Sequence, residues 1–349
     1  MHGEYKVPGG KLVVVDLDEA DGLLRNVSVS GDFFLDPDEA LSRITAAIEG
    51  LPRDIAAADI ADRIQSALDP MDHLLGITPI SVAIAVRRAV GFALDWDDID
   101  FEVIHGPVVD PMVNVAMDET LTEDVAVGRR KPFMRLWEWN RPQVVMGSFQ
   151  SYANEINQEG VDRYGITVSR RITGGGAMFM EPGNCVTFSL VVPTALVDGM
   201  SFEQSYPFLD QWVLEALAKV GIRATYVPLN DIASDKGKIG GAAQKRWANG
   251  FMVHHVTMSY DIDAHKMLEV LRIGKEKIRD KGTRSAVKRV DPMRSQTGLP
   301  RSEILDVFYK TFQEKYDATP GEITAVDIAV AQERCRTKFS TDEWTHRIP

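Results

Sequence analysis

Cysteine is almost missing from this chain: Cys185 and Cys335 are the only two in 349 residues, and they lie far apart. Two isolated thiols make neither a disulfide framework nor a zinc cluster, which suits a cytoplasmic protein with reduced thiols. Long apolar runs are missing as well. No stretch approaches the roughly 18 apolar residues of a membrane span, and the opening MHGEYKVPGG lacks the charged-then-apolar layout of a secretion signal. No membrane partner is expected. Positive charge is in short supply, with 39 Lys and Arg against 51 Asp and Glu and a net charge of -12. A field of that sign repels a phosphate backbone, so nucleic acid is excluded as a partner. Neither GxxxxGK[ST] nor GxGxxG occurs at a phosphate-binding loop, which removes the Walker A and Rossmann readings.

What the chain does have is a concentration of its few cations beside glycines. RRITGGGAMFMEPGN, residues 170–184, sets two arginines before three consecutive glycines. Residues without side chains let a ligand lie against the main chain and leave amide N–H groups free to meet negative oxygens. An arginine supplies a planar fork of donors suited to carboxylate or phosphate. Alone, the loop reads equally well as a structural turn. KGKIGGAAQKR, residues 236–246, places Lys238 just before Gly240 and Gly241. Alone, this lysine reads as a solvated residue at a hairpin end. Two such loops in one half of the chain point to a two-sided site for a small anion.

Organisation is read from periodicity. In the first hundred residues KLVVVDLDEA and LLRNVSVSGDFF alternate around DEADG, predicting a hairpin. Asp36-Pro37 is expected to open a helix through DPDEALSRITAAIEGL, followed by helices near 55–68 and 79–93. The acidic stretch ALDWDDID marks the boundary between a first domain, 1–97, and a second, 98–349. In the second, Asp110-Pro111 caps a helix. MRLWEWN and QVVMGSFQ are predicted to pair around Arg141-Pro142, CVTFSLVVP is a buried-type strand, and FEQSYPFLDQWVLEALAKVGI is one long amphipathic helix. Interspersed helices and hairpin-like strands predict an α+β fold with a mixed sheet.

The motifs together resemble the lipoate–protein ligase A family, within the group that includes biotin ligases and octanoyl transferases. RRITGGGA is similar to the family's RRxxGGGA loop, EPGN followed by CVTFS to its turn and strand, and KIGGAAQ to its lysine loop. LWEWNRPQVVMGSFQ, PLNDI, the His254-His255 pair and KGTRSAVKRV fall in family order over residues 98–349. The resemblance implies a biotin/lipoate ligase-like mixed-sheet domain that joins lipoate to ATP, giving lipoyl-AMP, and then acylates one lysine of a carrier. It implies that Lys238 bridges the lipoate carboxyl and the α-phosphate, where a charge pair at 4 Å contributes about 4 kcal/mol at an effective dielectric of 20. It implies that Arg170, Gly175, Gly176, Ala177 and Met178 hold the nucleotide phosphates, that Gly174 and Arg170 border the lipoate, and that Asn230 and Asp231 contact the adenylate side. Mg²⁺ is expected on the phosphates, with no protein-borne metal site. The implied partners are apo lipoyl domains of 2-oxoacid dehydrogenase E2 subunits and the glycine cleavage H protein, served by a monomer.

KVPGGKLVVVDL and SGDFF resemble the family's small α/β accessory domain, placed first here and expected to complete the adenylation site. Lys6 and Lys11 lack the tight Asp-Lys hairpin of a lipoyl carrier. One departure stands out: where the family carries a histidine after GGGA, this chain has Met180, which bears on the choice between lipoate and another medium-chain acid. Cys185 sits in an apolar run and reads as a buried hydrophobe rather than a nucleophile. The relatives that use a cysteine carry it shortly before the lysine loop, where ATYVPLNDIASDKGK has none. On a strand His254 and His255 face opposite sides, so one of them faces the core. Two alternatives stay open, an octanoyl or lipoyl transferase of the same fold and a non-catalytic acyl-adenylate binding protein.

Overall fold

The computed structural model describes residues 1–7, 10–272 and 292–349. They form two compact units, Met1–Ile99 with Thr194–Phe208, and Asp100–Pro193 with Leu209–Pro349.

In the first unit β1 (His2–Lys6), β2 (Leu12–Ala20) and β3 (Leu23–Gly31) form an antiparallel meander. Buried and exposed residues alternate along β1, as expected for a sheet with one covered face. The predicted hairpin is present, with Asp21 and Gly22 at positive φ in its turn. Helices Ala57–Ala67 and Pro79–Ala89 match the sequence reading, and Thr78 caps the latter through the Ser81 amide. The first helix starts at Ala40 rather than Pro37, because Asp36 belongs to β4 (Phe34–Asp36), which pairs with β5 (His73–Leu75). Thr194–Phe208 joins this unit from the middle of the chain. Leu94 N–H donates to the Ala195 carbonyl, Arg87 Nε meets Asp198 at 2.9 Å, and the Trp96 and Phe208 rings lie 5.6 Å apart.

The second unit is built on an eight-stranded sheet and a smaller one, and its strands run from β6 (Glu102–Val109) and β7 (Phe133–Trp139) through β8 (Gln143–Met146), β9 (Thr167–Arg170), β10 (Met178–Met180) and β11 (Cys185–Pro193) to β12 (Ala224–Val227), β13 (Asp231–Ser234), β14 (Gly237–Arg246) and β15 (Phe251–Ser259). With the edge strand β16 (Thr319–Pro320), the large sheet has the order β12-β13-β14-β15-β11-β7-β6-β16, and a small sheet has the order β10-β8-β9. Parallel pairs β6–β7, β6–β16 and β8–β9 coexist with antiparallel ones, so the architecture is α+β with a mixed sheet. No helix among the described residues is long and apolar enough to cross a membrane.

Two sequence expectations change. β7 and β8 do not pair: the chain leaves the large sheet after Trp139 and enters the small one at Gln143. Arg141 holds that crossing by donating to Asp110 at 2.6 Å and Thr167 at 2.9 Å. The predicted long helix is two, Phe202–Leu209 and Gln211–Lys219, broken at Asp210. The Asp210 side chain is fully buried and bonds His254 Nε2 at 2.7 Å and the Tyr226 hydroxyl at 3.1 Å.

Register sets the centre of this unit. Ser189 of β11 lies beside Arg135 of β7 on one side and His255 of β15 on the other, placing three polar side chains in one row. The helix Pro111–Ala126, whose first turn is capped by Asp110, packs over these strands. Its Asp118 is 2% exposed and receives Arg135 Nη2 at 3.1 Å, Ser189 Oγ at 2.5 Å and His255 Nδ1 at 2.8 Å. Removing one partner of a buried ion pair strands the other charge, at a cost of about 3–5 kcal/mol. Asp118→Ala should therefore lower the unfolding free energy by that amount in a denaturant titration. A loss under about 1 kcal/mol, the size of an ordinary surface pair, would show that Arg135 finds other acceptors.

Candidate functional site

Strand alternation decides which side chains reach the cleft of the second unit. Ala243 of β14 pairs with His255 of β15, and Gly241 with Thr257, so these four share a face. They line a cleft of about 620 Å³, open mouth included, together with Trp137, Val145, Arg171, Gly176, Ala177, Met178, Met180, Thr187, Asn230, Lys238 and Ala242. The cleft has a polar end and an apolar one.

At the polar end Lys238 Nζ meets Asp231 Oδ1 at 2.7 Å, with both side chains more than one-third exposed. Gly241 lies directly under this pair, since a Cβ there would be 3.5 Å from both Asp231 Oδ1 and the Lys238 ammonium. Asn230 Nδ2 donates to the Ala242 carbonyl at 2.7 Å, which fixes the loop before β13 against β14. Across the cleft runs the glycine loop. Gly175 has φ +89°, and a Cβ there would come within 2.9 Å of Arg171 Nη2, so only glycine lets the loop fold over this guanidinium. The Gly176 and Ala177 amides meet no acceptor among the described residues. Such amides in a glycine loop are suited to an anion.

The two arginines part company. Arg170 is fully buried and donates to the carbonyls of Gly147, Ser148, Gln150, Thr345 and Ile348. It does not line the cleft. Arg171, its neighbour in an extended segment, points the other way and does. Its Nε donates to Thr173 Oγ1 at 2.8 Å, Nη1 to the Val145 carbonyl at 3.2 Å and Nη2 to the Gly174 carbonyl at 2.5 Å. The guanidinium facing the cleft is thus Arg171's and not Arg170's.

The apolar end is formed by Trp137, Val145, Met178 and Met180, and Met180 is 2% exposed. Thr187 and Thr257 bond each other at 3.1 Å alongside. His255 completes the floor. Its ring bonds Asp118 through Nδ1 and Thr173 Oγ1 through Nε2, both at 2.8 Å. Burial holds its pKa below that of a free imidazole, with the Asp118 hydrogen bond opposing. His254 faces the other side of β15, against Asp210.

Of the residues expected from sequence, the cleft gathers Lys238, Asn230, Gly176, Ala177 and Met178 along its wall, with Asp231 on the lysine. Gly174 and Gly175 support Arg171 from behind and do not line it. Sequence reasoning missed Arg171, Thr173 and Asp118. The signal available for Arg171 was strand alternation. For Asp118, whose strand partners are remote in sequence, there was none; Thr173 has Arg171 two residues away, but its other partner, His255, is remote. KGTRSAVKRV lies outside the described residues.

Neither cysteine belongs to the cleft. Cys185 is fully buried, and burial pushes its thiol far up from the usual range; burial also pushes the Cys335 thiol up to about 12. Both thiols should stay silent toward a thiol-exchange reagent at pH 8 in the native protein and react only on unfolding. Rapid native labelling of Cys185 would contradict the packing of β11.

The profile of the lipoyl protein ligase A/B catalytic domain matches residues 110–313. Lipoate–protein ligase 1 of Staphylococcus aureus is 28% identical over 70% of this chain and 72% of its own length. Octanoyltransferase LipM of Geobacillus kaustophilus is 26% identical over 68% of this chain and 94% of its own. Among solved structures, the bi-partite lipoate protein ligase of Thermoplasma acidophilum, described with its E2 lipoyl domain, superposes with a TM-score of 0.63. It is 25% identical and covers 72% of this chain and 98% of that one.

Proposed function

Since the chain belongs to the lipoyl protein ligase A/B family, we propose that it is an ATP-dependent lipoate–protein ligase that forms lipoyl-AMP and passes the acyl group to a carrier lysine. The observation that carries this reading is that Lys238 and Arg171 share one cleft, which has an apolar end, with the Gly176 and Ala177 amides, which meet no acceptor among the described residues. A carboxylate is a poor electrophile, and adenylation converts it to a mixed anhydride. One lipoate oxygen bonds the α-phosphorus and pyrophosphate leaves. The carrier lysine's amine then attacks the acyl carbon and AMP leaves.

Each group has a task in that sequence. The apolar end takes the acyl chain and leaves its carboxylate toward Lys238. The Lys238–Asp231 pair is half-exposed, and such pairs contribute about 0–1 kcal/mol, so little opposes exchange of Asp231 for substrate oxygens. Between carboxylate and α-phosphate the ammonium offsets their repulsion and then the charge that grows as they join. Arg171, rather than Arg170, meets the phosphates with the loop amides. Mg²⁺ is proposed to arrive with the nucleotide, carried mainly by its phosphates. The carriers proposed are lipoyl domains of 2-oxoacid dehydrogenase E2 subunits and the glycine cleavage H protein. The first unit is proposed as an accessory domain that completes adenylation. Cutting at residue 98 is not a clean test of it, because Thr194–Phe208 would lose the unit it packs in.

The similarity to an octanoyltransferase favours a second reading, ATP-independent transfer. The absence of a thiol from the cleft argues against a cysteine thioester route. One experiment separates the readings: incubate the protein with lipoate and an apo lipoyl domain, with and without Mg-ATP, and follow the carrier's mass. A lipoyl gain only with ATP is expected. A gain from an octanoylated donor without ATP would install the transferase. Lys238→Ala, a half-exposed change that should alter stability by no more than about 0.5 kcal/mol, should abolish the gain.

A further inference from the structure

Arg171 is held by a directional chain of hydrogen bonds that starts at the buried carboxylate of Asp118. An ionised carboxylate only accepts, so the proton between Asp118 and His255 sits on Nδ1. A neutral imidazole then presents a lone pair at Nε2, and the Thr173 hydroxyl donates to it at 2.8 Å. With its proton committed, Thr173 Oγ1 offers a lone pair to Arg171 Nε–H at 2.8 Å. Asp118, His255, Thr173 and Arg171 are all at most 9% exposed, so water does not readily substitute for any of them. The depressed His255 pKa agrees with a neutral ring. At its origin the chain is pinned by Arg135 and Ser189 on Asp118 Oδ1.

We propose that Thr173, backed by His255 and Asp118, is a positioning residue that fixes the Arg171 guanidinium for the ATP phosphates. The inference rests on the ligase reading above. Thr173 does not line the cleft, so any effect of it on nucleotide must pass through Arg171 or the loop it starts. A free arginine loses rotamer entropy when it is fixed, and prior ordering removes that loss from the binding step. Threonine is apt because one hydroxyl both donates and accepts. Valine matches its shape and does neither.

The test is titration calorimetry of the full chain with Mg-ATP, beside steady-state kinetics. Thr173→Val should weaken ATP binding at least tenfold and raise KM for ATP, with KM for lipoate shifted less than threefold. Thr173→Ser should restore binding to within about threefold of the wild type, as a donor-acceptor hydroxyl predicts. In an Arg171→Ala background, Thr173→Val should add nothing, because the group it positions is gone. If Thr173→Val does not fold, Thr173→Ala supplies the same comparison. Wild-type ATP affinity in the folded valine or alanine variant overturns the positioning role alone. A wild-type protein that does not bind Mg-ATP overturns the ligase reading and this role together. An equal loss on Thr173→Val in the presence and absence of the Arg171 side chain would assign Thr173 to the loop backbone and also overturn it.

Discussion

A carboxylate buried beneath a cleft must be given donors, and at Asp118 that requirement organises the second unit. Its three donors come from three neighbouring strands, Arg135 from β7, Ser189 from β11 and His255 from β15. They meet one side chain only because the register sets them in a row. A slip of one residue in any of these strands would turn its side chain to the opposite face. A buried ionised group with several kcal/mol of desolvation cost therefore specifies register as well as adding stability. Arg135 also donates to Asn114 Oδ1, one helical turn before Asp118, so the same row fixes where the helix sits along the strands.

The cleft inherits this order. Because the Asp118 end of the chain is fixed, the tautomer of His255, the rotor of Thr173 and the direction of Arg171 follow in turn. The glycine loop folds over a guanidinium that is already placed, and at φ +89° Gly175 holds a backbone conformation that residues with side chains rarely adopt. Arg170 serves the other side. Its donors hold the carbonyls of the loop after β8 and of Thr345 and Ile348, and Trp344 Nε1 returns a bond to the Arg170 carbonyl at 2.8 Å. Two adjacent arginines thus do different work because extended backbone sends neighbouring side chains apart.

Much of this was legible in the sequence and some was not, for definite physical reasons. The glycine loop, the lysine loop and the mixed sheet are local patterns, and local patterns can be read. Strand alternation alone told that His254 and His255 would part, though not which faced the cleft. The same rule applied to Arg170 and Arg171 would have raised the same question, but a doublet read as one cationic doorway concealed it. The β7–β8 pairing failed because a turn signal shows that the chain bends without showing which sheet it enters. The single long helix failed because Asp210 looks helix-compatible on its own. Its partners are His254 and Tyr226, which no local window contains. Asp118 looked like one more acid in the helix after Asp110-Pro111, and only the register of three distant strands makes it central.

A chain of net charge -12 that gathers cations at one cleft also reconciles two facts about its proposed ligands. At physiological ionic strength the Debye length is about 8 Å, so the acidic surface is screened over most of the molecule. Within the cleft Lys238 and Arg171 act at contact distance, next to amides that meet no acceptor among the described residues. A small anion that enters meets those groups first. A polyanion has to lie along the surface, where each further phosphate meets the acidic field and only a few cations oppose it. The same arithmetic bears on Asp231. Its charge lowers the affinity of an empty cleft for stray anions by neutralising Lys238. A ligand that brings both a carboxylate and a phosphate can displace it, because two anionic groups bound to one ammonium offset the loss of one exposed carboxylate. On the proposed ligase reading the pair would favour the two-substrate state over either anion alone, the selectivity an adenylating site requires.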